Sequence, residues 1–173
     1  MIDASLIALA VISSQFAQRI EIPDWENSVR FELVASQEPV RPGDSLELAL
    51  VAHIEPGYHL YGPEEQEPSR TKVTVVTNEL ESAAPMYPPV IRRDLEGLGE
   101  YELYEGRIAI RVPVKLTSSQ EAGELEASVE VGYQVCTDFA CSAPVTDVFS
   151  ISLPRAKRGT NVKKLRPDIF DGK

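Results

Sequence analysis

Two cysteines, Cys136 and Cys141, are the only thiols in the chain, and they stand in the stretch VGYQVCTDFACSAPVT with four residues between them. Such a pair has three uses: a permanent staple, a reversible dithiol–disulfide, or two soft ligands for a metal ion. Four residues make a hairpin-sized connection. The mouth of a hairpin brings Cα atoms within the roughly 4.4–6.8 Å that a disulfide requires. As a staple the bond contributes little, because the closed loop is short and a hairpin's ends are already held by its ladder. Spacing alone still favours a staple, since two cysteines in an exported domain usually pair. The spacing is not C-x-x-C, and no helix N-terminus is expected beside it to stabilise a thiolate. Asp138, inside the loop, disfavours a nearby thiolate. The thiols are therefore not expected to be strongly acidic. They would work when a partner's thiolate attacks the disulfide, or when a partner activates them at an interface.

Metal binding would recruit His53 or His59 beside the cysteines, for zinc or copper. C-x4-C is a loose spacing for structural zinc, and His53 alternates with Leu50 and Ala52 in a way that places it on the outer face of a strand. Glu64, Glu65 and Glu67 read as a solvated turn, and no constellation supports serine or carboxylate catalysis.

The elements that must position the cysteines are strands. Val29, Phe31, Leu33 and Ala35 share one face of segment 29–36; Leu46, Leu48, Leu50 and Ala52 share one face of 44–54. Segment 71–77 is rich in β-branched residues. Ile108, Ile110, Val112 and Val114 alternate in 106–116, as do Leu125, Ala127, Val129, Val131 and Tyr133 in 123–135, and 145–153 closes the series. Turn signals such as RPGD (41–44), EPGY (55–58) and EAGE (121–124) fall between them. About seven strands with no βαβ unit predict a single all-β domain, an immunoglobulin-like antiparallel β-sandwich. Residues 83–104 carry prolines and no clean period. They are expected to be a long loop with one strand near Val90, and long loops in compact domains are often functional.

The 173 residues suffice for one domain with a core. Residues 155–173 hold seven basic and two acidic side chains, which leaves ten basic and twenty-five acidic in 1–154. The body is thus near −15 and the tail near +5, within a net charge of −10. An acidic body argues against nucleic acid. The tail is expected to be a solvated appendage or linker. Residues 1–18, MIDASLIALAVISSQFAQ, carry an apolar run at 4–12, too short to span a bilayer and of the length of a signal-peptide core. Asp3 and the lack of an early Lys or Arg depart from that pattern. The reading is an exported, soluble mature protein whose domain spans 19–154.

The cysteine stretch has the form Y-Q-x-C, a gap of four or five, then C-x-x-P with Thr or Val. In that it resembles the redox segment of the N-terminal domain of DsbD-type thiol–disulfide interchange proteins. HIEPGYHLYGPE (53–64) is similar to that family's I-x-x-G-Y-H/Y-x-Y strand. GEYELYEGRIAIRVPV (99–114) is similar to the strand after its cap loop. The likeness covers about 30–154.

The resemblance implies an immunoglobulin-like sandwich with Cys136 and Cys141 as a redox pair. It implies that Cys141 forms the mixed disulfide with partners and that Cys136 resolves it. It implies a cap over the pair at about 94–101, where Leu98 or Tyr101 replaces the family's large aromatic. His59 and Tyr61 would lie beside the pair, and Tyr133 and Asp138 complete the residues expected to shield it or meet a partner. No bound cofactor and no resident metal are expected. The partners implied are thioredoxin-like domains, one donating electrons and one an oxidised acceptor, in the periplasm or another exported compartment. The chain carries no multi-helix membrane hub and no C-terminal thioredoxin domain, so those partners would act in trans or belong to a larger protein. The competing readings are a binding or structural module with a permanent disulfide, and a copper or zinc carrier.

Overall fold

The computed structural model describes residues 23–95 and 99–171. The proposed leader and Leu98 lie outside them. Among the described residues thirteen strands and one short helix follow in order: β1 Val29–Ala35, β2 Gln37–Glu38, β3 Ser45–Ile54, β4 His59–Tyr61, β5 Lys72–Val75, β6 Leu80–Ser82 and β7 Ile91–Leu95. Then come β8 Gly99–Tyr104, β9 Arg107–Leu116, β10 Glu124–Tyr133, β11 Val135–Cys136, β12 Val145–Pro154, β13 Lys163–Lys164 and α1 Pro167–Phe170. All named pairings are antiparallel.

The pairings at the centre of the sandwich follow from alternation. β3 pairs with β1 and β9 in a sheet of order β1-β3-β9-β6, and β10 pairs with β12 and β5 in a second sheet. Their inner faces carry Leu46, Leu48, Leu50 and Ala52, Ile110, Val112 and Val114, and Leu125, Ala127, Val129 and Val131. These merge in one buried cluster. Burying such side chains stabilises a sandwich at roughly 25 cal/mol per Å² of apolar surface. The protein is therefore an all-β, immunoglobulin-like antiparallel sandwich, as the strand pattern predicts.

Two expectations are corrected. Residues 83–104 are not mainly loop. β7 and β8 form a hairpin, and β8 adds to β4 in a third sheet of order β11-β4-β8-β7. Charged residues mask its period, because Arg92 faces Glu102 across the ladder and donates to it at 2.9 Å. The basic tail is likewise not a detached appendage, although most of its side chains face solvent. β13 pairs with β2, Arg166 reaches Glu32 at 3.1 Å, and Ile169 is buried against Val34, Ala49 and Val51 on the outer face of the first sheet. Those three residues point away from the sandwich core, so β1 and β3 are apolar on both faces there and need this cover. The tail's positive charge answers the acidic body through short pairs, Arg155 with Glu79 at 2.7 Å among them.

Candidate functional site

Cys136 and Cys141 are joined by a disulfide with a Cα–Cα distance of 4.0 Å. The two residues face each other as an antiparallel bridge. The Thr137 N–H donates to the Ala140 carbonyl at 2.8 Å on one side, and the Ser142 N–H to the Val135 carbonyl at 2.8 Å on the other. That places the cysteines in the narrow, non-hydrogen-bonded position of the ladder, where Cα atoms and side chains approach most closely. Thr137 Oγ1 accepts from the N–H groups of Phe139 and Ala140 and closes the loop. Gln134 Nε2 donates to the Ser142 carbonyl at 2.7 Å and fixes its base.

The two sulfur-bearing residues differ in environment. Cys136 is fully buried, at 0% exposure, whereas Cys141 is exposed. The reason is topological. Cys136 belongs to β11 and pairs with β4, while Cys141 lies on the outer limb of the hairpin and pairs only with Cys136. An incoming thiolate therefore has access to Cys141 and not to Cys136.

β4 supplies the floor. His59 is the register partner of Cys136 and is 1% exposed. The turn that aims it is EPGY, in which the Tyr58 N–H donates to the Glu55 carbonyl and Gly57 takes φ +86°, a conformation that favours glycine. Two residues on, Tyr61 shares the face of His59, their rings 5.7 Å apart and edge-on, and Tyr101 of β8 packs on Tyr61 at 5.5 Å. Gly62 lets β4 approach β8: a Cβ there would lie 2.9 Å from Glu102 Cβ. His59, Tyr61 and Tyr101 thus form one aromatic row beside the buried cysteine.

Burial pulls the His59 imidazole below its usual pKa. Asp138 opposes that shift, Arg93 adds to it and Glu105 opposes it. Burial also raises the Tyr61 phenol, with Tyr101 and Glu65 acting the same way. His59 Nε2 is buried without a hydrogen-bond partner among the described residues.

Asp138 and Tyr133 have fates the sequence did not show. Asp138 is exposed in the cysteine loop and accepts from Arg93 Nη1 at 3.2 Å, while Arg93 Nη2 donates to Glu105. A guanidinium thus offsets the carboxylate that would oppose a thiolate. Tyr133 is not at the surface of the pair. It is buried among the core side chains, its ring 4.9 Å from Phe31 and its hydroxyl donating to Asp147 at 2.9 Å, so meeting a partner would require unpicking β10. His53, on β3, pairs in register with Arg30 of β1 and Arg107 of β9 and not with the cysteines. Among the described residues no group of three or more His, Cys, Asp or Glu gathers in metal-binding geometry.

Two residues passed over in the sequence belong to the site. Phe139 stands 98% exposed at the tip of the cysteine loop, two residues from Cys141. The signal was present: a four-residue loop is too small to bury a phenyl ring in itself. Arg93 carried no such signal, because its partners lie 12 and 45 positions away.

A sequence model described as the N-terminal domain of the thiol:disulfide interchange protein DsbD matches residues 30–153. No curated protein matches the chain. Among solved structures, the N-terminal periplasmic domain of ScsB from Proteus mirabilis is similar with a TM-score of 0.51 and 11% identity. The match covers 77% of this chain and 49% of that one, so this chain spans about half its length. The DsbD N-terminal domain of Neisseria meningitidis in the reduced form has a TM-score of 0.41 and 16% identity, over 76% of this chain and 89% of that one. The complex of DsbD and PilB N-terminal domains from Neisseria meningitidis gives 0.41 and 17%, over 76% and 88%. Among the described residues no helix is long and apolar enough to cross a membrane.

Proposed function

The chain belongs to the family of DsbD N-terminal thiol:disulfide interchange domains, and from that premise we propose that it relays reducing equivalents between proteins through the Cys136–Cys141 pair. The observation that carries this reading is the asymmetry of the disulfide, one cysteine fully buried and the other open. A donor thiolate attacks Cys141 Sγ; the S–S bond breaks and Cys136 leaves with the electron pair. The donor's second thiol then attacks the mixed disulfide and releases Cys141 as a thiolate. The donor ends as a disulfide and this domain as a dithiol. Reversal against an oxidised protein disulfide passes the two electrons on, with Cys141 attacking and Cys136 resolving.

The interchange domain on this reading is residues 19–154 with the docked tail packed on it, exported after removal of residues 1–18 and acting in a periplasm-like compartment. Its partners are thioredoxin-like domains, as donor and as oxidised acceptor, and it needs no bound cofactor. Tyr61 and Tyr101, in the aromatic row beside the buried cysteine, limit access to the pair. The exposed Phe139 ring is the apolar contact that a partner covers when it reaches Cys141.

The test is the reduction potential of the pair, from equilibration of the protein against glutathione buffers. A value in the range of exchange proteins, roughly −120 to −270 mV, is expected; one below about −300 mV belongs to a structural staple and would reject the relay. A Cys136→Ala variant is expected to trap thioredoxin-like partners on Cys141.

A further inference from the structure

His59, a buried base beside Cys136, has no part in the relay as written above. His59 is the register partner of Cys136, and directly opposed residues of an antiparallel pair hold their Cβ atoms about 4.5–5.5 Å apart on one face. Its Nε2 is buried and unpartnered among the described residues while the cysteines are oxidised. A disulfide sulfur offers no proton to such a nitrogen. Reduction changes that, because Cys136 then carries an S–H. Reduction thus places an S–H on the residue directly opposite His59, a proton donor that the oxidised pair lacks.

Resting on the relay reading, we propose that His59 is the proton acceptor that activates the buried thiol of Cys136 for the resolving step. The need follows from burial. A thiol in apolar surroundings ionises less readily than a free one, yet only the thiolate attacks a disulfide. With the partner held on Cys141, Cys136 gives its proton to His59 Nε2, and the thiolate attacks Cys141 Sγ. The Cys136–Cys141 bond forms and the bond to the partner breaks. The partner's sulfur leaves with the electron pair, so the partner is reduced and this domain oxidised. The imidazolium then loses its proton to solvent. In the opposite direction His59 takes a proton from solvent and passes it to the departing Cys136 thiolate.

The neighbours leave this work to His59. From β4 itself, Tyr61 keeps its phenolic proton, held by burial and by Tyr101 of β8 and Glu65. From the cysteine loop, Asp138 is engaged by Arg93, and Glu105, after β8, accepts from Arg93 as well. Arg93 of β7 carries only donors and has no acceptor for the thiol proton. Desolvation keeps the His59 imidazole neutral at neutral pH, and therefore free to accept.

The resolving step can be read on the full chain with 5,5′-dithiobis(2-nitrobenzoate). Reduced protein reacts first at Cys141, releasing one thionitrobenzoate; attack by Cys136 then releases the second, and stopped-flow absorbance separates the two phases. In the wild type the second phase should be nearly level through neutral pH. In His59→Phe, which retains the aromatic shape, it should fall at least about tenfold at neutral pH and recover as pH rises toward the thiol's own ionisation. The first phase should be unchanged. A second phase with unaltered rate and pH profile in His59→Phe overturns the proposal, and so does equal slowing of both phases. If the phenyl variant fails to fold, His59→Gln and the wild-type profile decide. A wild-type second phase that climbs tenfold per pH unit through neutrality, with no histidine limb, also overturns it. Failure of the relay reading shows elsewhere, as a staple-like potential in the glutathione equilibration, and leaves both phases readable.

Discussion

Arg93 bridges two parts of the site: its guanidinium donates to Asp138 inside the cysteine loop at 3.2 Å and to Glu105 at the end of the β7–β8 hairpin. One side chain from the hairpin thus holds the loop that presents Cys141. Both pairs are partly exposed, so each is worth only about 0.2–1 kcal/mol after solvent screening. Arg93→Ala should leave the thermal midpoint almost unchanged. It should lower the rate at which the glutathione thiolate attacks the disulfide by up to about fivefold, the factor that corresponds to 1 kcal/mol, because Asp138 is then left unopposed beside Cys141. Because such charge effects are screened, high salt should narrow the difference between the variant and the wild type. Stopped-flow reduction at two ionic strengths checks this; equal rates for variant and wild type would show that the bridge does not govern access.

The burial difference between the cysteines predicts unequal reactivity once the bond is broken. In Cys136→Ala the remaining Cys141 should alkylate readily with a maleimide. In Cys141→Ala the remaining Cys136, 0% exposed, should react at least about 100-fold more slowly, because the reagent must wait for local opening. Mass spectrometry of timed samples gives both rates. Comparable rates would remove the asymmetry on which the relay reading stands.

Phe139 is 98% exposed and so contributes almost nothing to folding. Phe139→Ala should leave the unfolding curve and the reduction potential unchanged. Capture of a thioredoxin-type dithiol protein should weaken by about tenfold, the loss typical of a partly covered aromatic anchor. The effect should appear in the dependence of rate on partner concentration and be absent with glutathione. If protein and small thiol slow together, the ring positions the loop and does not dock a partner.

The tail is part of the folded unit. Ile169 is 8% exposed against Val34, Ala49 and Val51. Ile169→Ala should cost about 2 kcal/mol, at the low end for a buried aliphatic truncation because the site is at the domain's surface. Urea unfolding measures it. No change in midpoint would mean that the tail contributes nothing in solution.

Glu79 gives a pH signature. Hydrogen bonding from Ser118 first, and then from Arg155, holds its carboxyl below the ordinary value of 4.5. A depressed folded-state pKa contributes stability that is present above about pH 4.5 and is lost as pH falls through the folded value. Glu79→Gln should therefore flatten the acid limb of the stability curve below that pH. The variant should also be less stable at neutrality, because Arg155, 8% exposed, loses its carboxylate partner. Identical acid limbs for the two proteins would show that the pair contributes no pH dependence.

The long strands were legible because their alternation is local: Leu46, Leu48, Leu50 and Ala52 of β3 can bury together only on one face of a strand. The β7–β8 hairpin was not legible, because Arg92 and Glu102 satisfy each other across the ladder and leave no apolar period to read. The docked tail was hidden for a related reason. Val34, Ala49 and Val51 show an outward apolar face, but nothing in the sequence says which distant residue covers it; Ile169 lies more than a hundred positions away.

The sequence by itself determined the sandwich, the cysteine pair, its place in a hairpin-sized loop and the aromatic stretch GYHLY that accompanies it. Residue type and short-range spacing carry those features. Only the tertiary structure decided which cysteine is buried, that His59 stands opposite it with an idle nitrogen, and that Arg93 answers Asp138. Those depend on which strand lies beside β11. Pairing between strands is fixed by the packing of the whole domain, and no window of sequence contains it.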